Sequence, residues 1–344
     1  MTRAGPSGKA VSAPLAAGAK PGHKSGMLTL SEIEAAAAVV HRAMPPTPQI
    51  RWPLLCERAG AELWVKHENH SPVGAFKLRG GLAYMDRLQR AEPGVTGVIA
   101  ATRGNHGQSV TVAAASVGLK SVIVVPLGNS REKNAAMRAQ GAELIEHGHD
   151  FQAAYEHAGR LAGERGLHAV RSFHPWLMAG TATYGLELFR AVPDLDTVYV
   201  PIGLGSGICG TIAARDALGL KTRIVGVVAE NAPMYARSFS AGKAVATNSA
   251  DTFADGLACR VPDEEALAVI LKGAERVLTV SEAEMKTAMR CYFTDTHNLA
   301  EGAGAAALAG LLQERTGMAG KRVAVVLSGG NIDRALYAEI LAEG

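Results

Sequence analysis

The stretch around which this chain is organised is Lys66-His-Glu-Asn-His-Ser-Pro-Val-Gly-Ala-Phe-Lys77-Leu-Arg-Gly-Gly81. Residues 61–66 alternate in polarity like a strand that enters a site, and Pro72 and Gly74 then force a turn. After the turn, apolar side chains recur at helical spacing and predict a helix with one buried face, formed by Leu78, Leu82, Met85 and Leu88. Lys77 therefore lies at the junction of a loop and a helix.

Two interpretations of Lys77 follow from this position. An amine that is held near Phe76 and partly desolvated loses its proton near neutral pH, as a Schiff-base nucleophile requires. The N-terminus of a helix also favours anionic groups, because its N–H groups and its dipole point toward them. The alternative is a solvated surface lysine at the start of an amphipathic helix, and the stretch alone leaves both open.

Length and charge narrow the class of protein. With 344 residues, 48% of them hydrophobic, and 39 glycines, the chain can bury a large core and is expected to form two lobes. Its net charge of +3 includes four basic residues within residues 1–26, which contain no acid, so the rest carries about −1 and no nucleic-acid partner is expected. Residues 1–26 are rich in Ala, Gly, Ser and Pro, which predicts a disordered tail.

The spacing of the cysteines and the hydropathy argue against a disulfide-rich, a zinc-binding and a membrane-spanning protein. The four cysteines are widely spaced and form no C-x-x-C pair, so neither a disulfide framework nor a zinc site is indicated. No apolar run approaches the ~20 residues that span a bilayer. We therefore expect a cytoplasmic protein with reduced thiols and no membrane partner.

The order of strands and helices predicts an α/β fold. Short β-branched runs alternate with alanine-rich helical windows, and continuous apolar strands separated by helices indicate parallel sheets buried on both faces. These predicted strands are residues 97–101, 121–126, 197–202, 223–229 and 322–327.

Polar loops follow two of these strands. Residues 101–109, Ala-Thr-Arg-Gly-Asn-His-Gly-Gln-Ser, lead into a helix and form an anion site suited to a carboxylate, although an ordinary turn capped by Asn105 is the alternative. Residues 201–210, Pro-Ile-Gly-Leu-Gly-Ser-Gly-Ile-Cys-Gly, place N–H groups around a phosphate. The same loop matches a dinucleotide fingerprint with Glu230 as the ribose acid, which would make the chain a nicotinamide-dependent oxidoreductase. That alternative gives Lys77 no role.

Residues 71–80, Ser-Pro-Val-Gly-Ala-Phe-Lys-Leu-Arg-Gly, resemble the lysine segment of the fold-type-II pyridoxal-phosphate enzymes of the threonine/serine dehydratase and serine racemase family. The resemblance implies that Lys77 carries the cofactor, pyridoxal 5'-phosphate, with Phe76 beside it. It also implies two domains with twisted, mostly parallel sheets flanked by helices. The larger, cofactor-binding domain would comprise residues 27–96 and 177–344, and the smaller one, with the substrate loop, residues 97–176.

The loop at residues 102–108 is similar to the segment that binds the substrate carboxylate in this family, which implies that role for Thr102, Asn105 and His106, with Asn105 also reaching the cofactor ring. Arg103 departs from the family, because serine racemases have at this position a serine that acts as the second base. An arginine does not lose its proton at working pH, so racemisation is disfavoured, and Arg103 is expected to clamp a carboxylate. Trp176 follows a His-Pro pair, and the residue at this position often lines the substrate pocket in the family, so Trp176 is expected to do so; packing in the core is the alternative.

Three further segments resemble cofactor contacts of the family. Gly203, Leu204, Gly205, Ser206 and Gly207 correspond to the phosphate cup, with Leu204 and Ser206 departing from its usual glycines. Glu301 is expected near the cofactor ring and Ser328 at the pyridine nitrogen. Ala236 replaces an acid that helps to bind a divalent cation in some relatives, so no metal is expected.

The resemblance implies a β-elimination that converts a β-hydroxy amino acid, threonine or serine, into a 2-oxo acid and ammonia, with Lys77 as the base. Arg103 and Trp176 leave hydroxyaspartate or a phenylserine-type substrate as alternatives, and a non-catalytic protein that binds a phosphate ligand is a third hypothesis. A homodimer is expected. No regulatory segment follows Leu341, so feedback control through such a domain is not expected.

Overall fold

The computed structural model describes residues 28–343, so the predicted disordered tail lies outside the described residues. The described part contains ten strands. They are β1 Gln49–Arg51, β2 Glu62–His67, β3 Gly97–Ala101, β4 Lys120–Val125, β5 Glu143–Glu146, β6 His168–Ala169, β7 Thr197–Pro201, β8 Arg223–Ala229, β9 Arg276–Val280 and β10 Arg322–Leu327. All five predicted strands are present.

Helices separate most of these strands. Those in the described residues are α1 Leu30–Ala43, α2 Pro53–Ala59, α3 Lys77–Ala91, α4 Asn105–Ser116, α5 Arg131–Ala139, α6 Phe151–Arg165, α7 Pro175–Ala191, α8 Ser206–Ala217, α9 Met234–Ala241, α10 Glu264–Gly273, α11 Glu282–Thr296, α12 Gly302–Gln313, α13 Arg315–Met318 and α14 Arg334–Ala342. Short 3₁₀ turns cover Glu68–His70 and Asp255–Leu257. No helix within residues 28–343 is long and apolar enough to cross a membrane.

The strands form two sheets. The first has six strands in the order β1-β2-β10-β7-β8-β9, and the second has four in the order β5-β4-β3-β6. Every pairing is parallel except that of the edge strand β1 with β2. The residues of β3 and β7 are all buried, as expected of parallel strands covered on both faces. The predicted α/β class with mostly parallel sheets is confirmed.

The register of the first sheet brings three loops together. β10 lies between β2 and β7, with Leu327 opposite His67 and Val325 opposite Tyr199. Because the three strands are parallel, the chain leaves all of them at the same edge, which is where ligands bind in sheets of this kind. The loop that ends at Lys77, the residue Ser328 and the glycine-rich loop therefore meet at one edge.

Close packing around the first sheet depends on small residues. Helix α12 contains Gly, Ala and Leu almost throughout, and ten of its residues are buried. It runs so close to the end of β10 that a Cβ on Gly304 would lie 2.2 Å from the carbonyl oxygen of Gly329. A larger side chain there would separate the helix from the strand that carries Ser328.

The helix predicted after Lys77 is α3, and its apolar face is buried as expected. Leu78, Leu82, Met85 and Leu88 are at most 4% exposed and pack in one cluster with Val98 of the second sheet. The strands of that sheet all come from residues 97–169. This distribution agrees with the predicted smaller domain at residues 97–176, but the packing of α3 extends that core into residues assigned to the larger one, and the division remains a prediction.

Candidate active site

A cavity of about 520 Å³ opens at the edge where the three loops meet. Its lining combines residues that are far apart in the sequence and that lie in segments next to both sheets. All but one of the predicted site residues contribute to it: Phe76, Lys77, Thr102, Arg103, Asn105, His106, Gly203, Leu204, Gly205, Ser206, Gly207, Glu301 and Ser328. The exception is Trp176.

Lys77 is the first residue of α3 and is held from several sides. The N–H of Phe76 donates to the Ser328 carbonyl at 3.0 Å, and the Ser109 hydroxyl donates to the Lys77 carbonyl at 2.6 Å. Lys77 Nζ lies 3.3 Å from Ser206 Oγ and 5.0 Å from the centre of the Phe76 ring. Burial lowers the pKa of this amine, against the opposing influence of Cys259 and Glu301. The neutral amine, which is the nucleophilic form, is thereby favoured.

The glycine-rich loop between β7 and α8 presents backbone donors to the cavity. Gly205 is the N-cap of α8 with φ of +104°, in the left-handed region that glycine adopts readily. Having no side chain, it makes no capping hydrogen bond, so the first-turn N–H groups lack the usual capping acceptor. Tyr235 donates to the Leu204 carbonyl at 3.0 Å and Thr181 to the Ser206 carbonyl at 2.7 Å. These contacts hold the carbonyls away and leave an anion site.

The loop before α4 is shaped by Thr102. Its hydroxyl accepts hydrogen bonds from the N–H groups of Gly104 at 2.9 Å and Gly107 at 3.3 Å. His106 is buried, and its Nε2 has no hydrogen-bond partner among residues 28–343. Burial, together with the charge of Lys77, lowers the pKa of His106 to about 3. The imidazole is therefore neutral at physiological pH, and one of its ring nitrogens remains for a ligand.

Asn105 and Glu301 close one side of the cavity. The Asn105 amide donates to Glu301 Oε1 at 2.6 Å, and Asn105 Oδ1 accepts from Asn331 Nδ2 at 2.8 Å. Burial raises the pKa of Glu301, although Lys133 and Asn105 oppose this effect. Burial thus favours the neutral carboxyl group, whereas Lys133 and Asn105 favour the carboxylate.

Lys133 and Asp255 belong to the site, but the sequence did not identify them. Lys133 Nζ lies 3.0 Å from Asp255 Oδ2 and 3.6 Å from Glu301 Oε2. Burial alone lowers the pKa of Lys133, but the two carboxylates together raise it above its ordinary value. Lys133 occupies an ordinary amphipathic helix, α5, and Asp255 a 3₁₀ turn. Neither has a local signal that could have revealed this pairing.

The absence of a side chain on Gly104 makes room for Lys133. A Cβ at Gly104 would lie 2.5 Å from Lys133 Cδ, so the lysine side chain passes directly over this glycine. The φ of Gly104, 164°, is extended backbone that any residue adopts, and the requirement for glycine is therefore one of space.

Arg103 reaches across the cavity toward Asp255, with 3.5 Å between Nη1 and Oδ1. Its Nε is buried and has no partner among the described residues, while 37% of the side chain is exposed. The guanidinium therefore uses little of its capacity for hydrogen bonds.

Trp176 lies outside the cavity. It is 6% exposed and packs with Tyr84 and His174, and the Arg87 guanidinium lies 5.2 Å above its ring. The side chain is therefore part of the core that surrounds α3, and the structure gives no support to the predicted contact between Trp176 and a substrate.

A buried ionic cluster lies behind Lys77 and was also not predicted. Arg79 is fully buried and binds Glu68 through Nε and Nη2, at 2.7 and 3.0 Å, and Glu187 through Nη1 and Nη2, at 2.6 and 2.8 Å. Lys66 Nζ lies 2.6 Å from Glu187 Oε2. Although burial opposes it, the two cations lower the pKa of Glu187 to about 2. This cluster joins β2, α3 and α7.

Comparison with known proteins identifies the family. The model of the family described as "Pyridoxal-phosphate dependent enzyme" matches residues 40–329. The chain belongs to this family of pyridoxal-phosphate-dependent enzymes. The predicted family and the predicted cofactor are confirmed.

Members of the family from several organisms are similar over most of this chain. L-threonine ammonia-lyase of Thermotoga maritima is 34% identical over 319 residues, which cover 92% of this chain and 79% of the relative. L-threo-3-hydroxyaspartate ammonia-lyase of Saccharomyces cerevisiae is 32% identical over 297 residues, which cover 86% of this chain and 91% of the relative.

Solved structures of pyridoxal-phosphate-dependent enzymes share the fold. Maize serine racemase has a TM-score of 0.86 at 26% identity, covering 92% of this chain and 98% of that one. The processed form of threonine deaminase isoform 2 from Solanum lycopersicum has a TM-score of 0.83 at 27% identity. The match covers 91% of this chain and 93% of that one. The likeness extends over both sheets, and fold-type II is thereby confirmed.

The residues of the cavity fit pyridoxal phosphate. The uncapped turn of α8 offers N–H groups to a phosphate, and Lys77 offers an amine whose pKa is lowered by burial. The orphaned Nε2 of His106 gives a further polar contact in the same cavity. Glu230, the ribose acid of the nicotinamide alternative, is exposed and does not line the cavity. The family match and this placement both exclude that alternative.

Within the described residues, no group of three or more His, Cys, Asp or Glu side chains is arranged to hold a metal ion. The Asp255–Glu301 pair is already bridged by the Lys133 ammonium.

Proposed function

We propose that this chain catalyses the elimination of water from a β-hydroxy amino acid such as threonine or serine, and that the resulting enamine is hydrolysed by one water to a 2-oxo acid and ammonia. The enzyme is a pyridoxal-phosphate-dependent lyase, and β-elimination from hydroxy amino acids is the reaction by which its relatives are named. The observation that carries the proposal is the half-buried Lys77 amine, whose pKa is lowered by desolvation and which shares one cavity with the loop before α4 and with the glycine-rich loop.

Lys77 holds the cofactor and moves the proton. Bound pyridoxal phosphate supplies an electron sink that stabilises negative charge at the substrate Cα. Because burial favours the neutral amine, Lys77 Nζ can accept the Cα proton as a general base. The Ser206 hydroxyl, 3.3 Å from Nζ, orients the amine toward the cavity.

The loop before α4 binds the substrate carboxylate. The N-terminus of α4 favours an anion, and Thr102 holds the preceding turn in place. Asn105 is oriented by Asn331 and Glu301, and neutral His106 can donate or accept without adding charge. These contacts fix the substrate so that its Cα faces Lys77.

Ser328 and the glycine-rich loop hold the ring and the phosphate of the cofactor. The Ser328 hydroxyl lies at the cavity wall and makes only a long contact, 3.5 Å, with the Ala303 carbonyl. A hydroxyl can donate to a pyridine nitrogen without imposing a positive charge, which suits elimination better than transamination. Gly203 to Gly207 provide the backbone donors for the phosphate.

Racemisation is disfavoured because Arg103 occupies the position of the second base in serine racemases. A guanidinium remains protonated and cannot accept or return a Cα proton. We expect the substrate recovered from a partial reaction to keep its original configuration. Chiral chromatography of residual L-serine checks this, and accumulation of D-serine would contradict it.

The test of the proposed reaction is the release of 2-oxo acid and ammonia from L-threonine, L-serine, threo-3-hydroxyaspartate and phenylserine. Lys77→Ala should lower kcat by about a thousandfold or more, since it removes both the attachment and the base. Substantial residual turnover in this variant would refute the scheme. Cofactor binding with no turnover of any substrate would instead support a non-catalytic, ligand-binding role.

We further propose that the enzyme is a homodimer in the cytoplasm, as the resemblance to the dehydratase family and the four free thiols suggest. Light scattering coupled to size-exclusion chromatography should give twice the chain mass of 35.8 kDa. A monomer mass at micromolar concentration would contradict the dimer.

A further inference from the structure

Arg103 is poorly satisfied by the contacts that it makes within the described residues. Its partner is Asp255, at 3.5 Å, and this separation is longer than the roughly 2.7–2.9 Å that is typical of a charge-assisted hydrogen bond. Its Nε is buried without a partner. A buried guanidinium N–H that donates to nothing is costly, which indicates that a ligand completes this group.

Asp255 does not need Arg103 to balance its negative charge. Its nearer partner is Lys133, whose Nζ lies 3.0 Å from Oδ2 and whose side chain is 8% exposed. The contact with Arg103 involves the other oxygen, Oδ1. Arg103 can therefore move to an incoming anion while Asp255 stays neutralised by Lys133.

The Arg103 guanidinium lies away from the N-terminus of α4, so it can bind a different group of the ligand. Arg103 precedes Gly104, the N-cap of α4, and its guanidinium extends from there toward the far wall of the cavity, where Asp255 and Lys133 lie. The N-terminus of α4 and the unpartnered Nε2 of His106 form the part of the cavity that we propose for the α-carboxylate. A second anionic group on the same molecule would meet Arg103.

The cavity wall favours an acidic side chain over an aromatic one. Trp176 packs in the core and does not contribute an aromatic surface. The planar guanidinium matches a carboxylate through two parallel N–H donors, and its unpartnered Nε is one of the donors that such a pair uses.

We propose that Arg103 binds the distal carboxylate of an acidic β-hydroxy amino acid, so that the substrate class of this enzyme is β-hydroxy dicarboxylic amino acids. This inference rests on the proposed function, because it names the substrate of the same site. On binding, Arg103 exchanges its contact with Asp255 for the substrate carboxylate, and Lys133 remains with Asp255.

Steady-state kinetics test the proposal. The wild-type enzyme should have a higher kcat/KM for threo-3-hydroxyaspartate than for L-threonine. Arg103→Ala, which adds no candidate base, should lower kcat/KM for hydroxyaspartate by about ten- to a hundredfold more than it lowers kcat/KM for threonine, and should do so through KM. Arg103→Lys, which keeps the charge but not the fork, should fall between them.

Two outcomes of the kinetics would overturn the proposal. One is equal loss on both substrates in Arg103→Ala, which would make Arg103 a clamp for the α-carboxylate. The other is a wild-type preference for threonine. Arg138→Ala is the matched control, because Arg138 is an exposed arginine that pairs with Glu146 outside the cavity.

A binding measurement separates this proposal from the proposed reaction. Calorimetry on the enzyme loaded with cofactor should show succinate binding at least about tenfold more tightly than butyrate, and Arg103→Ala should remove the difference. This result would support the distal site even if no substrate were turned over. Equal affinity for succinate and butyrate in the wild type would refute the distal site even if elimination were observed.

Discussion

Single residues in this enzyme are constrained by neighbours that are distant in the sequence. Gly104 illustrates this point, because Lys133 lies over it and no property of the local backbone demands glycine. Trp176 shows the converse: it stands beside a His-Pro motif in the sequence, but its side chain packs in the hydrophobic core and not in the cavity. At this scale, function depends on which side chains share a space.

Gly104→Ala should displace Lys133 from Asp255 and Glu301, because the new Cβ would lie 2.5 Å from Lys133 Cδ. We expect the free energy of unfolding to fall by about 1–3 kcal/mol and kcat/KM to fall about tenfold or more. Chemical denaturation and steady-state kinetics measure both. Gly94→Ala, where a Cβ meets nothing within 4 Å, is the control, and equal behaviour of the two variants would contradict the steric argument.

Burial of His106 should make the free energy of unfolding depend on pH. Its pKa is about 3 in the folded protein, below the value of about 6.5 in the unfolded chain. The unfolded state therefore binds more protons below pH 6.5, and stability falls as the pH falls through this window. Between pH 7 and pH 5 the wild type should lose about 2 kcal/mol more than His106→Gln.

Urea denaturation at several pH values measures this difference. His149→Gln, which removes an imidazole that is 90% exposed, is the control for loss of a histidine. Parallel pH profiles for the wild type and His106→Gln would show that His106 is not buried in its neutral form.

Elements meet in this protein through buried charge as well as through apolar packing. The Arg79 guanidinium ties α3, which begins at Lys77, to Glu68 just after β2 and to Glu187 on α7. Arg79 lies two residues beyond Lys77 on the same helix. The cluster therefore fixes the position of the helix that begins at Lys77.

Arg79→Met should leave two carboxylates buried without their main cation. We expect the free energy of unfolding to fall by about 3–5 kcal/mol, because breaking a buried pair leaves uncompensated charge. Guanidinium denaturation measures the loss. Arg90→Met on the same helix removes an arginine that is 71% exposed and pairs with Asp86, and it should cost less than about 1 kcal/mol. Similar losses for the two variants would count against a structural role of the cluster.

At the scale of the whole molecule, the cavity joins the surroundings of both sheets. Lys133 and Asn105 come from the helices next to the second sheet, and Asp255 and Glu301 from the segments beside the first. A ligand in this cavity therefore contacts both halves at once, and its binding should stabilise the entire fold.

Removal of the cofactor should lower the thermal midpoint. Pyridoxal phosphate at a hundredfold excess over its Kd should contribute about 2.7 kcal/mol, which is a few degrees for a chain of this size. Differential scanning fluorimetry with and without cofactor measures the shift. Pyridoxal without its phosphate is the control. It should give a smaller shift of the thermal midpoint, because it leaves the N–H groups of α8 without an anion. Equal shifts for the two compounds would contradict phosphate binding by the glycine-rich loop.

Local pattern was sufficient for the elements and for the loops that follow the strands. The five buried strands, the apolar face of α3 and the glycine-rich turn could be read in this way, because alternation, helical spacing and turn residues are properties of neighbouring residues. Glu301 and Ser328 have no such local signal and were assigned through the resemblance to the family, although both line the cavity. The roles of these residues remain predictions.

The sequence by itself determined the α/β class, the lysine at the start of a helix, and the loops that follow buried strands. Only the tertiary structure decided that Lys133 bridges Asp255 and Glu301, that Arg79 joins two carboxylates, and that Trp176 belongs to the core. Lys133 and Glu301 are separated by well over a hundred positions in the chain. Contacts over such a separation depend on how the sheets and helices pack, and no local periodicity carries that information.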